Sequence, residues 1–208
     1  MNIITYIKNL IEDAHKWQKV KIGKSNIDEV KTHWYSFSIA QILFIILSVL
    51  YVFFKENPFN ADLIGYISAM FSIFVGLLLS LLILMFDKYQ NFDFTTDGRG
   101  IRDAAYVRKL KRFFIQFNTL TTYSILIAIL NIVLLLLCFI FDFFNGKVSF
   151  LSFINEIITN KCFDWKYLQN LVILLHRATA IYFVLDFFYL LIYSLTSIYS
   201  FINKEYNK

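Results

Sequence analysis

The chain has 208 residues, 58% of them hydrophobic and 19% aromatic, with one proline, six glycines and a formal net charge of +5. Such a composition lies outside the range of soluble domains, and the lack of period-two alternation speaks against a transmembrane β-barrel. The expectation is an all-α, polytopic membrane protein: a cytoplasmic amphipathic arm over 1–34, four transmembrane helices within 35–203 and a short cytoplasmic tail over 204–208.

In the arm, Ile3, Ile4, Ile7, Leu10, Ile11, Ala14 and Trp17 recur at helical spacing, while Lys8, Glu12, Lys16 and Lys19 fall elsewhere on the wheel. The predicted helix is amphipathic and charged where a signal peptide would be uniformly apolar. Its apolar face suits either the surface of the inner leaflet or the equivalent helix of another subunit. The stretch GKSNIDEV then breaks and restarts the chain. Gly23 ends the first helix, and Ser25 or Asn26 caps a second that is expected to run unbroken into the first span.

The spans are predicted over 35–54, 63–86, 113–141 and 178–201, each matching the ~20 residues a helix needs to cross ~30 Å of hydrocarbon. In the first, Ser38, Gln41 and Ser48 align, and Pro58 closes its outer end. The second carries a small residue at every fourth position, Ser68, Ser72, Gly76 and Ser80, with Gly65 and Ala69 on a neighbouring row. That pattern lets backbones approach closely, within one subunit or between subunits. The third has a mixed seam of Thr121, Ser124, Ala128, Asn131 and Cys138, from which Asn131 is expected to point inward, since an unsatisfied amide in lipid is costly.

Between the second and third spans lies the run TTDGRGIRD and then a dense basic element. Lys88, Arg99, Arg102, Arg108, Lys109, Lys111 and Arg112 fall in this loop and six lysines on the arm, against Lys55 alone in the first loop. Because Lys and Arg are retained on the cytoplasmic side, both termini and this loop are expected to be cytoplasmic. The basic element can anchor the third span to anionic lipid. It can also offer a face to a partner protein or to the phosphates of a nucleotide or single-stranded nucleic acid, although Asp87, Asp93, Asp97 and Asp103 dilute its charge.

Beyond the third span, Val148, Leu151, Ile154, Ile157 and Ile158 share a helical face and predict a short interfacial helix, with no TVGYG-like filter after it. Asp164 is placed to cap the last helix, and Trp165 and Tyr167 suit the aromatic belt. In the fourth span His176, Thr179, Tyr182, Asp186, Tyr189, Tyr193, Thr196 and Ser200 descend one face. An ionisable residue at membrane depth is rare and faces the bundle interior or a water-filled path. Two readings stand: a buried polar seam in which Asp186 bonds a tyrosine, Asn131 or Gln41, or a conduit between copies in which Asp186 forms a cation-favouring ring. Arg177, nine residues away, is on roughly the opposite face.

Phosphate-loop, HExxH, CxxC and GxSxG motifs are all missing, so an enzyme, a metal site or a cofactor is not expected. His15, His33 and His176 are scattered, and Cys138 and Cys162 form no disulfide framework. An amphipathic arm, four spans with both ends inside and basic cytoplasmic elements together resemble the small four-span membrane effectors of bacterial phage-defence systems. The Hailong-type effector, the membrane subunit of Kiwa and the multispan accessory proteins of type VI CRISPR loci share this outline. The resemblance is architectural, covers the whole chain and carries no site residue with it. It implies a homo-oligomer, with a tetramer favoured, that depolarises or permeabilises the membrane in abortive infection. Such an effector answers a nucleotidyltransferase product, single-stranded nucleic acid or a defence partner protein. The alternative is a non-conducting anchor that recruits a soluble defence protein.

Overall fold

The computed structural model describes residues 2–19, 37–55, 59–92, 101–141, 148, 153–154 and 165–206; within these, the side chains of 101–103, 139, 200–202 and 204–206 are not described. Five helices account for nearly all of them: α1 Ile3–Lys19, α2 Ile39–Phe54, α3 Ala61–Gln90, α4 Ile101–Ile140 and α5 Trp165–Tyr206. The chain is all-α. Three segments are long and apolar enough to cross a membrane, namely Ala61–Gln90, Ala104–Cys138 and Trp165–Tyr199. They suggest a multi-pass membrane protein.

Four comparable spans were expected, and α2 is the departure. Its 16 residues reach only ~24 Å at ~1.5 Å per residue, short of ~30 Å of hydrocarbon. Nor does a helix run unbroken into it, because Phe37 and Ser38 are not helical. Gly23, Ser25, Asn26, Pro58 and Asp164 lie outside the described residues, as does most of the expected helix after Val148. The fourth span is predicted from residue 178, and the helix that contains it begins earlier, at Trp165, so His176 and Arg177 lie inside the helix.

Local signals explain the helix ends. Asn60 accepts a hydrogen bond from the Leu63 N–H through its Oδ1 at 2.8 Å and from the Ile64 N–H through its carbonyl at 3.0 Å. It is therefore the N-cap of α3, with Asp62 in the first turn facing the positive end of the helix dipole. In α1 the Asn2 carbonyl takes up the Thr5 and Tyr6 N–H groups, and Lys16 and Lys19 sit in the last turn.

The chain forms two compact units. One comprises Met1–Ser38, Gly76–Leu126 and Phe188–Lys208; the other comprises Ile39–Val75 and Ile127–Phe187. In the second, contacts fix the direction of each helix against α5. Gln41 of α2 bonds Asp186, and Val52, eleven residues on, packs with Ile173 and Leu174, so α2 and α5 run antiparallel. Ile64 joins Ala180 in one cluster, and Phe71, seven residues later, meets Phe187, seven residues after Ala180, so α3 and α5 run parallel. Leu135 and Cys138 of α4 complete the cluster around Ala180. Phe187 is fully enclosed, edge-on to Phe71 at 4.8 Å and to Phe74 at 5.7 Å.

In the first unit, α4 buries Val107, Leu110, Phe113, Phe117 and Leu120, a row at spacings of three and four. Tyr89 of α3 meets Phe114 edge-on at 5.6 Å. The α1 helix docks by its last turns only: Ala14, His15 and Trp17 are buried, whereas Ile3, Ile4 and Tyr6 are exposed. The apolar face predicted as one stripe is thus divided between packing and exposure.

The polarity of α2 is inverted relative to a helix of a soluble protein. In α2 the buried residues are Gln41, Ser48 and Val52, while Ile42, Leu43, Ile46 and Leu47 are exposed. Such an arrangement suits hydrocarbon, where apolar side chains gain nothing by turning inward and polar ones lose by turning outward.

Phe187→Ala should lower stability by about 3–5 kcal/mol, the usual cost of emptying a buried aromatic site. Leu175→Ala, at an exposed position of the same helix, should change it by less than about 0.5 kcal/mol. Unfolding of the detergent-solubilised variants measures the difference.

Candidate functional site

The polar face of α5 divides when its side chains are placed. Asp186 is fully buried, and Gln41 Nε2 donates to its Oδ1 at 3.3 Å. Oδ2 of Asp186 has no hydrogen-bond partner among the described residues. Tyr182, Thr179, Tyr189 and Tyr193 are half-buried at the edge of the packed face, and the Ser200 side chain is outside the described residues. Thr179 and Thr196 spend their hydroxyls on the carbonyls of Leu175 and Ile192, four residues back in the same helix. In the first unit, Tyr193 donates instead to the Trp17 carbonyl at 3.0 Å and so ties α1 to α5.

Asn131 is also fully buried, and neither its amide oxygen nor its amide nitrogen has a partner among the described residues. The helix register brings it close to the level of Asp186. Cys138 lies against His176 at 3.4 Å. Seven residues back along α4 and ten forward along α5 correspond to ~10 Å and ~15 Å of antiparallel travel, so Asn131 and Asp186 differ by roughly one helical turn. Ser48, likewise buried, bonds the Ile45 carbonyl of its own helix. The second unit therefore encloses Gln41 bonded to Asp186, with Asp186 Oδ2 and the Asn131 amide buried and without hydrogen-bond partners among the described residues.

Sequence reasoning underrated a second polar group in this unit. Arg177 is 1% exposed and its Nη1 donates to the Val148 carbonyl at 3.1 Å, beside the buried Cys138–His176 contact. Nine residues separate it from Asp186, ~13.5 Å along the helix, too far for a direct ion pair. The available signal was the apolar run from Leu171 to Leu175, which shows that the helix starts well before Arg177. His15, which meets the Tyr123 hydroxyl at 3.5 Å in the first unit, carried no such signal.

Elsewhere, Arg108, Lys109, Lys111 and Arg112 are exposed on the side of α4 opposite its buried row; Arg102 lies in the same helix, and Arg99 is outside the described residues. In the small-residue row, Ser72, Gly76 and Ser80 are exposed and Ser68 is half-buried. A methyl group added at Gly65 or Gly76 would meet no atom within 4 Å. The described residues contain no group of three or more His, Cys, Asp and Glu side chains able to hold a metal.

No known protein family, no curated protein and no solved structure matches this sequence. The site is therefore read from its own chemistry.

Gln41→Leu should cost about 1–3 kcal/mol, because it leaves a buried carboxylate without its donor. Adding Asp186→Leu should recover much of that loss, since two matched apolar groups leave nothing unsatisfied. A double-mutant cycle by chemical or thermal unfolding measures the coupling.

Proposed function

We propose that the chain is an ion-conducting effector of the bacterial inner membrane whose cation preference depends on Asp186. The supporting observation is the enclosed polar capacity of the second unit. Oδ2 of Asp186 and both amide atoms of Asn131, buried and without hydrogen-bond partners among the described residues, lie on helices with an apolar exterior. Buried groups of that kind are satisfied by water or ions entering the protein, and an intramembrane carboxylate most often marks an ion or proton path. Asp186 acts in this reading from within one chain, held by Gln41. Copies then associate through exposed faces such as the Ser72–Gly76–Ser80 row, without Asp186 forming a ring between them. The orientation, with both termini and the Arg108–Arg112 element cytoplasmic, follows from the distribution of Lys and Arg. A role in antiphage immunity, triggered by a nucleotide-type signal or a partner protein, rests on the architectural resemblance.

One observation favours a second reading, a non-conducting anchor for a soluble partner. The Gln41–Asp186 bond closes within a single chain, and a buried polar pair can serve only to fix helix register.

Flux assays on the full chain in liposomes separate the two. Conduction through Asp186 predicts a cation-over-anion preference that falls about tenfold or more in Asp186→Asn, with Asn keeping the side-chain volume. Vesicles that stay electrically silent at every potential, together with capture of a stoichiometric protein partner from cells, establish the anchor. A preference unaltered in Asp186→Asn removes that residue from the conducting path.

A further inference from the structure

The first unit contains a groove that neither reading of Asp186 uses. It lies between the C-terminal half of α3 and the middle of α4, has a volume of about 230 Å³, and is walled by Leu82, Met85 and Phe86 on one side and by Phe114, Ile115 and Phe117 on the other. The edge-on contact of Tyr89 with Phe114 closes it at one end. From Leu82 to Tyr89 it follows the helix pair for about two turns, ~10 Å. Its lining is apolar apart from Tyr89 and Asn118.

Charge is arranged asymmetrically about this groove. Ile115 and Asn118 continue a row that begins at Arg108 and Lys111, with spacings of three, four and three, so these two basic residues stand one and two turns beyond the groove on the same face of α4. Arg112 flanks the row, and all three basic side chains are exposed. No carboxylate among the described residues pairs with any of them. The nearest acid on α3, Asp87, accepts a hydrogen bond from Asn91 at 3.2 Å. The opposite face of α4 is occupied by its buried row, so the basic row cannot turn inward.

We propose that this groove is a binding site for an anionic glycerophospholipid, with an acyl chain between α3 and α4 and the phosphate against Arg108, Lys111 and Arg112. An apolar slot with exposed cations one and two turns beyond its Tyr89–Phe114 end fits an amphiphile whose charge and hydrocarbon are joined. A nucleotide or single-stranded nucleic acid would use the cations but leave the slot unexplained; a zwitterionic lipid would use the slot but gain little from the cations. The site lies on residues independent of Asp186 and stands whether or not the chain conducts.

The test is native mass spectrometry of the full chain released from detergent, after delipidation and addition of phosphatidylglycerol or phosphatidylcholine with identical acyl chains. The wild type should retain phosphatidylglycerol about tenfold better. R108Q/K111Q should abolish that preference while retaining phosphatidylcholine as before, and Ile115→Trp, which fills the groove from an exposed position, should reduce retention of both. Phosphatidylglycerol with a photoactivatable acyl chain reports on the unaltered protein and should crosslink to peptides containing Leu82–Phe86 or Phe114–Phe117. Crosslinks confined to other segments, equal retention of the two lipids by the wild type, or a preference surviving R108Q/K111Q would overturn the site. So would binding of a single-stranded RNA oligonucleotide that requires Arg108 and Lys111 when lipid retention does not. Loss of the crosslink on self-association, with no lipid retained, assigns the groove to a second copy instead.

Discussion

Hydrocarbon outside the helices reverses the logic that builds a soluble core. Apolar side chains have no hydrophobic reason to leave lipid, so the packed interior is not required to be apolar; polar side chains have every reason to leave it. The fully buried residues accordingly include Gln41, Thr121, Asn131 and Asp186 alongside Phe71, Leu135, Ala180 and Phe187. Isoleucine and leucine cover the outside of α2 and α3. Serine and threonine hydroxyls off the core are absorbed by carbonyls four residues back, as at Ser72, Ser80, Thr179 and Thr196. Longer polar side chains reach across to another helix, as Gln41 does to Asp186 and Tyr193 to the Trp17 carbonyl.

Those long side chains determine how the helices register. Close aromatic packing around Phe187 favours association, but it tolerates small slides and rotations. The Gln41–Asp186 bond tolerates little: displacing α2 by one residue along α5 turns its side chains by ~100° and leaves an amide and a carboxylate facing apolar surface. A buried polar pair that adds modest net stability can therefore exclude many alternatives. The Arg177 contact to the Val148 carbonyl places the same constraint on the connection before α5.

Much of this was legible in the sequence, for identifiable reasons. Length and apolarity mark α3, α4 and α5, because a helix in lipid must satisfy its own backbone, and long apolar runs have no other stable form. Asn131, Asp186 and Gln41 were recognisable as inward-facing, because their desolvation cost does not depend on the fold. The buried position of Arg177 was not legible, because the group that takes up its charge is a backbone carbonyl, that of Val148, which no residue type marks. The small-residue row in α3 was legible as a pattern but not as a contact, since spacing says that a backbone can be approached and not what approaches it. The docking of α1 through its C-terminal half, where Ala14, His15 and Trp17 are buried, was not legible. A uniform amphipathic face carries no mark where one surface takes over from another.

The enclosed position of Asp186 also limits how an assembly of copies can use it. Bringing its carboxylate to the outside of the second unit would require rotation of α5, and Phe187, the next residue, would move with it. That motion would separate the Phe187 ring from both Phe71 and Phe74, edge-to-face pairs worth about 0.5–1.5 kcal/mol each. It would also strip Gln41 of its acceptor and leave that amide bare, for a further ~1–3 kcal/mol. Lipid would repay little, because an outward phenyl ring is neither gained nor lost there as it is in water. A ring of carboxylates between copies is thus opposed by the same contacts that hold the second unit together. An ion that interacts with Asp186 is more cheaply met where the carboxylate already lies, bonded to Gln41, than on a surface the helix would have to turn to reach.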